Sequence, residues 1–201
     1  MSNSKATGRL SVEYMTRIAL LTALSSILFL LEIPVIAFYK LDFSNLPVLL
    51  GAFSMGPVPG LIILGLKALI GCTHSSSMMV GELADFLTGL FFILPAAIYY
   101  RKHKTRRGAI VGMVLGILCQ VVVSVVINKF LMIPFYMNAF NMPIDVIIDM
   151  GRKAIPFVDT EWKLLLVVTA PFNLLKGFAI SLVTALIYKP LSPYLHVRSR
   201  G

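Results

Sequence analysis

The sequence predicts an all-α integral membrane protein: a bundle of six transmembrane helices forming a single membrane-embedded domain over residues 1–201. Three observations point there. Hydrophobic residues make up 58% of the chain at a mean hydropathy of +0.87, a composition suited to a bilayer rather than to water. Apolar runs recur at residues 18 to about 38, 46–70, 83–100, 109–127 and 164–188. At 1.5 Å per residue such runs approach or exceed the ~30 Å of bilayer hydrocarbon. Basic residues bunch beside those runs, at 5–17, 101–107 and 189–200, as cytoplasmic anchors do. The net charge of +9 therefore sits in loops and tails, and it calls for no nucleic acid.

The first run follows Lys5, Arg9, Glu13 and Arg17 and leads to Glu32-Ile33-Pro34 without a small-residue cleavage site. It reads as a retained span, not a signal peptide. Within it Ala19 and Ala23 stand four apart, a flat stripe on which another helix packs closely. Packing inside this chain is the equal alternative.

Counted at face value the runs give five spans. The amino terminus and the 101–107 loop are both strongly basic, so an even number of crossings should separate them, yet three runs lie between. The second run contains Met55-Gly56-Pro57-Val58-Pro59-Gly60, whose prolines and glycines break a helix and favour a turn. Splitting the run at Gly56 to Gly60 restores parity. It gives six helices, the second and third short, with both termini cytoplasmic. Each half is about 9–11 residues, ~13–17 Å of helix, and so needs tilt, local thinning or shelter behind other helices.

This topology places residues 39–47, 71–77 and about 128–162 outside. The last connection is interrupted by Pro134, Pro143 and Pro156, and a short surface helix near 143–150 is a candidate lid. Cys72 and Cys119 make no framework, and His74, His103 and His196 are scattered.

Polar residues then gather in the outer half. Lys40 and Asp42 fall on the first outer loop, Lys67 late in the third helix and Glu82 in the first turn of the fourth. Asn128 ends the fifth, and Asn173 and Lys176 lie ~13–20 Å below the outer start of the sixth. Lys176 is the most informative, because a charge mid-span costs ~2.5–3.5 kcal/mol. Asn173, three residues earlier, shares its face. The expectation is an outward-facing polar cavity under a loop lid. Each residue also has a plainer reading. Glu82 complements a helix dipole, and Lys67 snorkels to the interface. Asp42, with Ser44 and Asn45, caps a helix before Pro47, while Asn128 and Lys129 end a span. Asp85, three residues after Glu82, pairs with a lysine inside the bundle, and Lys176 holds helices together through an intramembrane acid. Asn173 and Lys176 are hardest to explain away, since a buried amide and charge need partners.

No G-x-x-x-x-G-K-[ST] loop occurs, so the chain does not hydrolyse ATP alone. With no nucleophile–His–acid pattern or metal-ligand spacing, no enzyme activity is expected.

Three stretches carry a resemblance. They are Lys40-Leu41-Asp42-Phe43-Ser44-Asn45-Leu46-Pro47, Gly81-Glu82-Leu83-Ala84-Asp85-Phe86-Leu87, and Pro171-Phe172-Asn173-Leu174-Leu175-Lys176-Gly177 with the trailing Tyr188-Lys189-Pro190-Leu191-Ser192-Pro193. Over nearly its whole length the chain resembles the riboflavin-specific substrate-binding (S) subunits of energy-coupling-factor (ECF) vitamin transporters, the RibU family. It departs from the family pattern at position 45, usually acidic, and position 85, often Asn. The resemblance implies a six-helix bundle in a prokaryotic plasma membrane that captures riboflavin from outside as transported substrate, with no cofactor. It implies partners as well: a transmembrane coupling protein and two ATP-binding subunits. It also implies site residues, with Asn128, Asn173 and Lys176 at the flavin head. Lys40, Leu41, Asp42, Phe43 and Glu82 then lie at the loop side and ribityl chain, and Lys67 joins the substrate-binding set. Ala19 and Ala23 match the alanine motif that docks on the coupling subunit. Isoalloxazine suits such a site, offering an apolar face to Leu41 and Phe43 and a carbonyl/imide edge to amides and a lysine. The alternatives are an S subunit for another vitamin or for FMN, an ion-coupled secondary transporter working through Glu82, Asp85 and Lys176, and a scaffold that binds nothing small. A secondary transporter would often carry inverted repeats, and none is visible.

Overall fold

The computed structural model describes residues 12–36, 39–75 and 77–195, the stretch 188–195 by backbone alone. The basic ends that bear on where the termini lie therefore fall outside the described residues. Within them the chain is mostly helical, and four helical stretches are long and apolar enough to cross a membrane: Val12–Leu30, Val80–Lys102, Arg106–Ala139 and Glu161–Ile187.

Helix α1 (Val12–Leu30) ends earlier than the first apolar run suggests. Pro34 cannot continue a helix, and the β-branched Ile33, Val35 and Ile36 favour extended backbone. The run turns instead into an antiparallel hairpin, β1 (Ile33–Ile36) and β2 (Tyr39–Leu41), with Ile33 opposite Leu41 and Pro34 opposite Lys40. This hairpin is the one departure from all-α among the described residues.

Helices α2 (Asn45–Met55) and α3 (Pro57–Cys72) meet at Gly56, as the Pro/Gly cluster predicts, but the break takes a single residue. Gly56 has φ 109°, a conformation L side chains avoid, and Pro57 starts α3 where its missing N–H costs nothing. The two helices close tightly, since a Cβ at Gly60 would stand 2.5 Å from that of Ala52. Helix α2 is buried all along residues 45–53. Its 11 residues are short because it sits among other helices, the shelter its length demands.

Helix α4 (Val80–Lys102) and α5 (Arg106–Ile127) flank a turn whose Thr105 hydroxyl accepts from Gly108 N at 2.9 Å. Gly112 and Gly116 face the α4 carbonyls of Ala96 and Phe92 so closely that a Cβ would fall 2.7 and 2.3 Å from those oxygens. Small residues four apart thus let the two backbones touch.

Helix α5 does not stop at residue 127. It continues through a π-helical turn, Asn128–Met132, into α6 (Ile133–Ala139). A proline at 134 can donate no helical hydrogen bond and crowds the carbonyl four residues back, and the wider π turn just before it accommodates this. The expected long connection is thereby shortened. The surface helix expected near 143–150 is present as α7 (Ile144–Arg152), with Ile147 and Ile148 buried and Asp145 and Asp149 exposed. A short helical turn, α8 (Glu161–Lys163), leads through a second π segment, Leu164–Thr169, into α9 (Ala170–Leu195).

Two apolar clusters result. One joins α1 to α5 and α9 around Leu49, Ile63, Phe92 and Ile180. The other joins the hairpin, α6, α7 and the second π segment around Tyr39, Ile147, Leu165 and Phe172. Large side chains such as Leu20, Leu69, Val122 and Leu186 face outward, where only hydrocarbon suits them.

Candidate functional site

Charge organises the interior. Lys176 on α9 donates to Asp42 Oδ2 at 2.7 Å and to Asp85 Oδ1 at 3.1 Å. Lys67 on α3 donates to the other Asp85 oxygen at 2.6 Å, to Ser44 Oγ at 2.9 Å and to Asn45 Oδ1 at 2.9 Å. The result is an alternating row, Asp42–Lys176–Asp85–Lys67, electrically neutral and almost wholly buried. Buried charges survive only when paired and hydrogen-bonded in this way. Asp42 does not cap α2, whose N-cap Ser44 has no side-chain cap hydrogen bond, but it braces the residue that begins the helix. Its second oxygen accepts from Ser44 N at 2.9 Å and from the Ser44 hydroxyl, which fixes the loop entering α2.

Above this row lies a cavity of about 330 Å³, within the size range of small-molecule sites. Lys40, Asp42, Glu82, Asp85, Asn128, Asn173 and Lys176 all line it, with Phe29, Tyr39, Met132, Tyr136 and Phe172 supplying apolar wall. The structure thus brings together six of the nine expected binding residues. Lys67 lies behind the wall, with its three ammonium protons committed. Leu41 and Phe43 do not line the cavity either. Leu41 packs with the hairpin's cluster and Phe43 with the main one. One-residue alternation along the loop sends Lys40 and Asp42 one way and these two the other.

Hydrogen-bond accounting separates the lining groups. Asn128 accepts from the Tyr39 hydroxyl at 3.1 Å and gives one amide proton to Ser124 O at 2.8 Å. Asn173 gives one to Thr169 O at 3.0 Å and receives Gln120 Nε2 at 3.4 Å. Each amide keeps one N–H, and Lys176 keeps one of three. Glu82 is held by the hydroxyls of Ser75 at 2.7 Å and Ser77 at 3.1 Å. It also sits in the first turn of α4, so the dipole reading and the cavity reading hold together. Lys40 pairs with Glu32 across the hairpin end.

Three participants were not among the expected site residues. Tyr39 ties the hairpin to both π segments through Asn128 and the Thr169 hydroxyl, and its ring lies 5.0 Å from that of Phe172. Burial pushes the Tyr39 hydroxyl well above its ordinary range, so it remains a donor. Asp85, expected to pair with a lysine inside the bundle, is the hub of the ion row. Gln120 steadies Asn173. A tyrosine at a loop end and a glutamine inside an apolar helix carry no sequence signal of their own. Asp85 did carry one, its place one turn from Glu82.

Ala19 and Ala23 are both exposed on α1, beside Leu20 and Leu24. Among the described residues both lie on the outer face of the bundle, where the stripe is accessible to another protein or to lipid.

Residues 13–188 match the family model described as ECF transporter, substrate-specific component. The chain is 30% identical to the riboflavin transporter RibU of Staphylococcus aureus (strain TCH60) over 93% of this chain and 96% of that one. It is 26% identical to the riboflavin transporter FmnP of Bacillus subtilis (strain 168), over 92% and 95%. It is 32% identical to RibU of Streptococcus thermophilus, over 89% and 82%. A solved structure described as the S component of a bacterial ECF transporter superposes with a TM-score of 0.69 at 28% identity, covering 90% of this chain and 96% of that chain. The chain belongs to the family of substrate-specific components of ECF transporters.

Proposed function

We propose that this protein is the riboflavin-binding S subunit of an ECF-type transporter in a prokaryotic plasma membrane. It captures the vitamin from outside and passes it inward together with a coupling protein and two ATPases. The observation that carries the reading is the set of three uncommitted N–H donors, on Asn128, Asn173 and Lys176, lining one cavity with an aromatic wall. Isoalloxazine is a flat aromatic body with carbonyl and imine acceptors along one edge. Phe172 and Met132 suit its face, and the three donors suit its edge. Glu82 and Lys40, on the loop side, suit the hydroxyls of the ribityl chain.

The whole chain acts as one membrane domain with six crossings. Helices α2 and α3 together make two of them, which restores the parity between the basic amino terminus and the basic 101–107 loop and puts both termini in the cytoplasm. The exposed Ala19/Ala23 stripe is the docking face for the coupling protein, whose ATPases supply the energy this chain lacks. The subunit binds and does no chemistry on its ligand.

Purification tests the reading directly. Expressed in cells supplied with riboflavin, the protein should emerge yellow with a flavin spectrum, and the ligand-freed protein should quench riboflavin fluorescence at one-to-one stoichiometry. Colourless protein that leaves flavin fluorescence untouched would overturn it.

A further inference from the structure

We infer that Gln120 is a positioning residue: it fixes which end of the Asn173 amide faces the cavity, so that Asn173 meets the ligand as a donor. The inference rests on the flavin reading above. An asparagine side chain can turn about its last bond and offer either a carbonyl oxygen or an NH2 group. Asn173 lines the cavity, and two neighbours outside the lining decide between these. The Thr169 carbonyl accepts one N–H at 3.0 Å, and Gln120 Nε2 donates to Oδ1 at 3.4 Å. Turned end for end, the amide would set its oxygen against the Thr169 carbonyl and its nitrogen against the Gln120 NH2 group. Two repulsions would replace two hydrogen bonds. Asn128 is held in the same manner, giving a proton to Ser124 O, four residues back, and receiving the Tyr39 hydroxyl on its oxygen. Each cavity amide is thus gripped at both ends, the nitrogen by its own helical stretch and the oxygen by a donor from another element.

What Gln120 lacks points the same way. It lies in α5 at 1% exposure, and its own Oε1 is buried without a hydrogen-bond partner among the described residues. A buried carbonyl left unpaired is costlier than an apolar side chain of the same shape. Helix packing alone therefore gives no reason for an amide at this position, whereas the Nε2 contact to Asn173 does. The approach across the α5–α9 interface is close. A Cβ at Gly177, one turn beyond Asn173, would stand 3.1 Å from Gln120 Oε1, so a residue without a side chain lets the glutamine reach α9.

The test is a double-mutant cycle, with the riboflavin Kd measured by fluorescence quenching on purified wild type, Gln120→Met, Asn173→Ala and the double variant. Methionine has nearly the shape of glutamine and no N–H to give. Gln120→Met should raise the Kd about fivefold or more. In the Asn173→Ala background the same change should move it by less than about twofold, because the amide it orients is gone. A Gln120 that serves packing alone would cost the same factor in both backgrounds, or nothing in either, and each of those results overturns the inference. So does an Asn173→Ala protein whose Kd matches wild type. Should Gln120→Met fail to fold, Gln120→Leu takes its place in the cycle, and failure of both assigns Gln120 to the core and sinks the idea. Wild type that binds riboflavin while the two losses simply add defeats this inference alone. Wild type that binds no flavin defeats the flavin reading and this inference with it.

Discussion

Lys176 Nζ lies 2.7 Å from Asp42 Oδ2, joining side chains 134 positions apart. That contact ties the loop after the hairpin to the last helix, and Asp85 and Lys67 extend it across α4 and α3. The two lysines differ in what they have left. Lys67 has three partners and does not line the cavity, whereas Lys176 has two and lines it. Breaking a buried ion pair costs about 3–5 kcal/mol, so Lys67→Met and Lys176→Met should both lower Tm in detergent. Only Lys176→Met should also weaken riboflavin binding in the folded fraction. Equal losses of affinity would give both lysines one role and defeat the distinction.

Asn173 should matter through its remaining N–H. Losing a hydrogen-bond partner for a buried polar group costs ~1–3 kcal/mol, roughly 5–150-fold in affinity. Titration of Asn173→Ala should show a riboflavin Kd raised within that range. An unchanged constant in folded protein would leave Asn173 as a brace between Thr169 and Gln120.

Substitution of the exposed alanines should separate capture from delivery. Because Ala19 and Ala23 are exposed, Trp at both should escape the ~1–3 kcal/mol per site that overpacking costs. The double mutant should bind riboflavin normally, fail to co-purify with the coupling protein and fail to support uptake. Normal uptake by well-expressed protein would refute the docking role.

Topology is open to chemistry. With Cys72 and Cys119 replaced by Ser, cysteine at Thr105 should resist an impermeant thiol reagent added outside intact cells, and cysteine at His74 should react. The reverse pattern would invert the six-crossing arrangement, and labelling at both positions would remove a crossing between them.

Much of this was legible because the bilayer makes some residues expensive. A lysine at 176 inside an apolar run has to be paired or functional, and its partner Asp42 stood in the loop that the same reasoning put outside. The Gly56 break was legible from proline and glycine chemistry. The hairpin was not, since Ile33 to Phe38 extends an apolar run and hydropathy does not distinguish strand from helix. Nor were the π segments: Asn128–Met132 and Leu164–Thr169 have the composition of ordinary helix, and only the packing around Pro134 and Tyr39 reveals what they accommodate. Leu41 and Phe43 were expected in the site from the resemblance, and the alternation of the loop turns them toward the two apolar clusters.

The burial of α2 has a consequence for biogenesis. A segment enclosed on every side by protein gains nothing from lipid by itself, and 11 residues reach only about 16 Å across the membrane. Until α4 and α9 have been synthesised, α2 lacks two of the four helices that pack against it. It must therefore wait beside α3 as half of a helical hairpin, and the bundle closes around it only when the last span leaves the ribosome. Assembly of the binding site and completion of the chain are in that sense a single event.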